Sequence, residues 1–145
     1  MSAMSDYLEN KLVDLTLRGQ VFTAPATIYF SLHTAAPTGD VPGTECTGGS
    51  YARKAITASL ANFAGTQSAA STTASTGTGG VTSNNTIIDF PAPTASWGVV
   101  SHFGIWDAST AGNLLYHGAL TTSKTINNGD AAPSFAAAAL TLTFA

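Results

Sequence analysis

Three histidines, His33, His102 and His117, are the residues best suited to catalysis or metal binding in this sequence. Three imidazoles could hold a zinc ion. Each of them, however, lies in a segment with the pattern of a β-strand, and no two have the close spacing of a recognisable metal site. Ser101 and Asp107 flank His102 with the residue types of a nucleophilic triad. Adjacent strand residues point to opposite faces, so we predict neither a metal site nor a triad.

Carboxylates and a thiol are the remaining groups that could carry a reaction. All the candidate carboxylates except Asp89 lie in predicted turns, where acidic side chains favour local hydrogen bonds. They are Asp40, Glu45, Asp89, Asp107 and Asp130. The single Cys46 has no nearby cation to lower the pKa of its thiol. The glycine-rich stretch 76–80 lacks the following lysine of a phosphate-binding loop. We therefore predict no catalytic residue, no cofactor and no enzymatic activity.

One amphipathic helix is predicted near the N-terminus, over about residues 5–18. Leu8, Leu12 and Leu15 recur at the spacing of one helical face. Ser5 is a suitable N-cap, because its hydroxyl can accept a hydrogen bond from a backbone amide of the first turn. We expect the leucine face to dock on the rest of the chain or on a neighbouring protein.

After this helix the sequence pattern becomes that of short β-strands. The segments are rich in branched and aromatic residues and are separated by Gly, Pro, Asn and Asp. They are 27–33, 51–58, 86–90, 99–106, 114–120, 124–127 and 140–144. Many short strands after one helix predict a mainly β protein: an antiparallel, jelly-roll-like β-sandwich forming a single domain over residues 1–145.

Residues 65–83 consist almost wholly of Gly, Ala, Ser, Thr and Gln, with no residue able to anchor a core. Alone, such a segment is expected to be a flexible loop. It is either a plain surface excursion or an arm that becomes ordered against neighbouring subunits. The alanine-rich stretch 131–139 is compatible with a loop or a short helix.

The composition narrows the class of partner. Charged residues make up 9% of the chain and the net charge is −3, so a broad nucleic-acid surface is not expected. No apolar run approaches the length that spans a bilayer. A surface rich in hydroxyl and methyl groups suits packing against other protein better than it suits a free monomer.

Four aromatic residues of the strand region could stack on a sugar or a base: Trp97, Phe103, Trp106 and Tyr116. Such residues are more often anchors of a core or an interface. The alternation within 99–106 favours the structural role. We predict these four residues, together with Leu8, Leu12 and Leu15, as interface candidates.

Several segments resemble a known family of small virion structural proteins from tailed bacteriophages. Residues 45–53 resemble its Gly-Gly-x-Tyr-x-Arg signature, and 90–98 resemble its Phe-Pro-x-Ala-x-x-x-Trp-Gly segment. The following hairpin is similar over 102–108 and 112–120, and the turn after it over 124–130. Residues 65–83 depart from the pattern as an insertion would. The resemblance implies a β-sandwich in a virion protein commonly labelled a tail-fibre or head structural protein.

From this resemblance and the composition we predict a capsid decoration (cement) protein. It would bind at joints between major capsid subunits, as a homotrimer in contact with sister copies, and would stabilise the shell by its own binding free energy. The chain shows no fibre-type repeat, which favours the capsid surface. The alternative is a tail-fibre, receptor-binding or adaptor module of the phage tail.

Overall fold

The structure is a computed structural model that describes residues 2–39 and 41–144. Within those residues the chain forms ten β-strands and one α-helix. In chain order these are β1 (Ser2–Met4), α1 (Asp6–Leu17), β2 (Thr27–Ala35), β3 (Thr44–Glu45), β4 (Lys54–Thr57), β5 (Val81–Ser83), β6 (Ile88–Asp89), β7 (Gly98–Trp106), β8 (Leu114–Ile126), β9 (Ser134–Phe135) and β10 (Thr141–Thr143).

A six-stranded antiparallel sheet is the main layer, with the order β1-β8-β7-β2-β3. The short strand β4 pairs with the first half of β2, and β3 pairs with its second half. Two small antiparallel ladders, β10-β5 and β6-β9, make up the rest of the strand structure. The predicted mainly β, antiparallel fold with one N-terminal helix is confirmed. The jelly-roll-like detail is not confirmed, because both smaller sheets have only two strands.

The hydrophobic core joins the main sheet to the two small ladders. Many of its residues come from the central strands β2 and β7 and from β6, β10 and their flanks. These residues are Phe30, Leu32, Val100, Phe103, Ile105, Ile88, Phe90, Leu140 and Leu142. The opposite face of the main sheet carries polar and aromatic residues, including Ser31, His33 and Trp106.

Helix α1 begins where the sequence predicts. The Ser5 hydroxyl accepts a hydrogen bond from the Leu8 amide at 3.2 Å, as an N-cap does. Ser5 also fixes the helix to the sheet, because its backbone amide donates to the Leu115 carbonyl at 2.9 Å. Gly19 ends the helix with a positive φ of 66°.

Residues 65–83 form a loop that is held by its own side chains and ends in β5. The amide nitrogen of Gln67 lies 2.6 Å from the Ser71 hydroxyl and 2.7 Å from that of Thr73. The Ala64 amide donates to Ser83 at 2.9 Å, which fastens the base of the loop. Ordering of this segment by neighbouring subunits remains a prediction.

Candidate functional site

The three histidines share the sheet face that points away from the hydrophobic core. His33 stands directly opposite His102 across the β2–β7 ladder, and His117 stands opposite Gly104 in β7. Among the described residues, no three His, Cys, Asp or Glu side chains come close enough together to hold a metal ion. The three imidazoles share a sheet face, but they do not form a metal-binding site within the described residues.

His33 is fully buried and takes part in a short chain of hydrogen bonds. Its Nε2 lies 2.6 Å from the Ser31 hydroxyl, which accepts a hydrogen bond from Nε1 of Trp106 at 2.7 Å. Burial lowers the pKa of His33 to about 4, and the negative charge of Glu45 opposes this shift only in part. The imidazole is neutral at physiological pH and acts as a structural hydrogen-bonding group.

The residues of the possible triad are not arranged as a triad. The Ser101 hydroxyl lies 2.8 Å from Nδ1 of its neighbour His102. The Asp107 carboxylate instead binds Asn113, accepting from its backbone amide and its side-chain amide at 2.7 Å each. Asp107 thereby closes the loop between β7 and β8 and leaves His102 without the orienting carboxylate that a triad needs.

Other candidate acids also hold local structure. Asp89 pairs with Lys54 at 2.7 Å, and this hydrogen bond lowers the pKa of the Asp89 carboxyl. Asp130 accepts from the Asn127 amide at 2.8 Å in the turn after β8. Asp40 lies outside the described residues. The Cys46 thiol is buried, which raises its pKa to about 11 and keeps it protonated.

A cluster of hydrogen-bonded polar groups surrounds Arg53, just before β4. Its Nε and Nη2 donate to the two carboxylate oxygens of Glu45 at 2.9 and 2.7 Å, a bidentate geometry. The Tyr51 hydroxyl donates to the same carboxylate at 3.0 Å and accepts from the Leu32 amide. Nη1 of Arg53 donates to the carbonyls of Ala108 and Ala111, both at 2.9 Å.

This Arg53 cluster fastens the β7–β8 loop to the β3–β4 segment. Two clefts share Glu45, Arg53 and Ala111 in their linings and have volumes of about 490 and 520 Å³. The ionic groups that line both clefts, Glu45 and Arg53, are paired with each other, so within the described residues this cluster positions loops. Tyr51 and Arg53 were identified from the sequence as part of a family signature, but it was not predicted that Arg53 holds two loops together. The sequence does contain an indication of this ion pair, because Glu45 is the acidic residue nearest to Arg53 along a chain with few charges.

Three of the four predicted aromatic interface residues lie in the interior of the chain. Trp97 is buried against Tyr51, with ring centres 5.2 Å apart, and its Nε1 donates to Gly49. Phe103 is part of the hydrophobic core, and Trp106 lies beneath Arg53. The half-buried Tyr116 packs edge-on against Phe144. Their interface role stays a prediction.

The leucine face of α1 is covered by its own chain only at one end. Leu8 is 4% exposed and Leu12 is half-buried, but Leu15 is 44% exposed. Beyond it, Leu17 and Val21 are 80% and 89% exposed. We call residues 13–21, which comprise the end of the helix and the four residues after it, the uncovered end of α1. Large exposed apolar side chains gathered in one short segment are typical of surfaces that contact other protein.

These features define a mainly β protein with one N-terminal helix, in which paired polar groups hold loops together. The family model described as Podophage GP4 fiber I protein gp80 matches residues 3–143. The chain belongs to this family and is thus a structural protein of a tailed-phage virion. No individual curated protein matched the sequence.

The family match corrects the preference between the two predicted virion locations. The tail-fibre alternative fits the description of the family better than capsid decoration does. A charge-poor surface suits any subunit packed among neighbours, whether in a shell or in a fibre, so composition alone could not separate the two. None of the described helical residues forms a span long and apolar enough to cross a membrane.

Proposed function

We propose that this chain is a structural subunit of the tail fibre of a podophage and has no enzymatic activity. The match to a fibre family over residues 3–143 carries the proposal. The chemistry of the Arg53 cluster supports it, because Glu45, Tyr51 and Arg53 hydrogen-bond to one another and to loop carbonyls. Polar groups engaged in this way stabilise a shape and are not free to transfer protons.

The uncovered end of α1 is the surface that we propose for contact within the virion. Leu17 and Val21 are each at least four-fifths exposed, whereas Leu8 at the start of the helix is buried in the chain. A sister copy of this chain or another tail protein would cover these side chains in the assembled fibre. We expect a homo-oligomer, with the predicted homotrimer as its simplest form, and no nucleic-acid or membrane contact.

The location on the particle tests this function directly. Purified virions are labelled with gold-conjugated antibody against this chain, and the number of copies per particle is measured by quantitative mass spectrometry. We expect label at the tail and a copy number of a few to tens. An antibody against the major capsid protein is the matched control and marks the head. Label over the whole head with hundreds of copies would contradict the proposal and restore the decoration role.

A further inference from the structure

A cavity of about 340 Å³ lies beside the middle of β8, on the side of the hydrophobic core. The register of the β7–β8 ladder explains its position. Four residues of β8, 120–123, stand opposite the single residue Ser101 of β7. The three extra residues form an enlarged bulge of β8, which interrupts its ladder with β7. Leu120, Thr121 and Thr122 of this bulge form one wall of the cavity.

The opposite wall comes from the segments around β9 and β10, and the floor comes from the core. The apolar part of the lining contains buried side chains from both layers of the fold. These are Leu32, Phe90, Val100, Phe103, Ile126 and Leu140. The polar part consists chiefly of hydroxyls, from Thr121, Thr122, Ser134 and Thr141. The volume is in the range of small-molecule sites. The lining is mixed, with about as much polar as apolar surface.

Lys124 is the one charged residue in the lining of this cavity. It pairs in register with Val100, which places its backbone beside the floor, and the residue itself is exposed. In the part of the chain that the structure describes, the three ion pairs involve Arg18, Arg53 and Lys54, so the ammonium of Lys124 has no anionic partner there. A cavity with an apolar floor, hydroxyl groups on its walls and one cation without an anionic partner complements a ligand that has an apolar body and one negative charge.

We propose that this cavity binds a small amphiphile with an unbranched aliphatic chain and an anionic head group, of the class of the medium-chain carboxylates. The aliphatic chain of the ligand lies against Val100, Phe103 and Leu140, and its head group reaches Lys124 at the rim of the cavity. A sugar fits this cavity less well. The lining contains no Asp, Glu, Asn or Gln, whose planar groups would bind sugar hydroxyls, and no Trp. The inference is independent of the fibre assignment.

The test compares ligands of equal chain length and different head-group charge by titration calorimetry on the full chain. Octanoate is expected to bind, with octanol weaker and octylammonium at least about fivefold weaker. Shortening octanoate to hexanoate is expected to reduce affinity about fourfold for each CH₂ removed, as burial of a methylene predicts. Octylammonium binding as tightly as octanoate, or the absence of octanoate binding, would overturn the proposal.

Two variants and a control locate the site. Lys124→Gln is expected to weaken the binding of octanoate about two- to fivefold and to leave the affinity for octanol unchanged. Lys11→Gln removes the same charge from α1 and is expected to leave both affinities unchanged. Thr122→Trp is expected to fill the mouth of the cavity and abolish binding of both ligands. On the unmodified chain, octanoate is expected to shift NMR signals of residues 119–124 and 133–141. Shifts confined to other regions, or undiminished binding to Thr122→Trp, would contradict this site.

Discussion

The guanidinium of Arg53 lies 4.0 Å from the centre of the Trp106 indole ring, over its face. The same guanidinium forms the bidentate ion pair with Glu45 and donates to two carbonyls of the β7–β8 loop. One side chain thus joins the β3–β4 segment, the end of β7 and the following loop. Its planar fork and flat stacking surface are properties of arginine that lysine lacks.

Arg53→Met is expected to lower the free energy of unfolding by about 3 kcal/mol, because Glu45 keeps its charge in a largely buried place without its partner. The matched control is Lys54→Met. Lys54 also pairs with a carboxylate, that of Asp89, but this pair is exposed and its loss is expected to cost less than about 1 kcal/mol. Urea denaturation of both variants measures the difference. Equal losses would show that the Arg53 cluster stabilises the fold no more than the exposed Lys54–Asp89 pair does.

A second prediction concerns stability in acid and rests on His33. In the folded chain the pKa of His33 is about 4, because burial disfavours the charged form. Arg53 and His102 lower the pKa further, while Glu45 raises it. In the unfolded chain the pKa is near 6.5. Between these values the unfolded state binds more protons, so the free energy of unfolding decreases as the pH falls from about 6.5 to about 4.

The loss attributable to His33 over this range is expected to reach about 3 kcal/mol. Urea denaturation at half-unit pH steps measures it. His33→Gln keeps a hydrogen-bonding side chain that does not titrate between about pH 4 and pH 6.5. It is expected to flatten the dependence of the free energy of unfolding on pH. His102→Gln on the neighbouring strand is the control and is expected to leave most of the slope. A His33→Gln profile as steep as that of the unmodified chain would contradict the prediction.

The sequence predicted those elements whose pattern is local. The helix and the long strands β2 and β7 follow from side-chain periodicity, and the Ser5 cap follows from one residue type. Four strands of two or three residues were not predicted, because such short pairings depend on the partner strand: β1, β3, β5 and β9. The equally short β6 and β10 lie within the predicted segments 86–90 and 140–144. The segment 124–127 was predicted as separate, but residues 124–126 continue β8 beyond its bulge.

The functional features were harder to predict for a related reason. Gly49 has a positive φ of 46°, and a Cβ there would lie 2.3 Å from the Ala95 nitrogen. Glycine is therefore needed at this position because two segments distant in sequence approach each other closely. Arg53, Glu45 and the loop carbonyls likewise meet only in the fold. Residue types indicated that few groups could do chemistry. Which of them bond to one another depends on long-range register that no local pattern contains.

The last prediction separates the two ends of α1. Leu8→Ala is expected to lower the free energy of unfolding by about 2–3 kcal/mol, because its side chain is buried against the sheet. Leu17→Ala at the uncovered end is expected to change it by less than about 0.5 kcal/mol. If this end contacts a neighbouring subunit, Leu17→Asp will fold normally as an isolated chain and yet fail to enter the virion. Complementation of a phage that lacks this protein, followed by mass spectrometry of purified particles, measures incorporation. Normal incorporation of Leu17→Asp would show that the uncovered end of α1 faces solvent in the fibre.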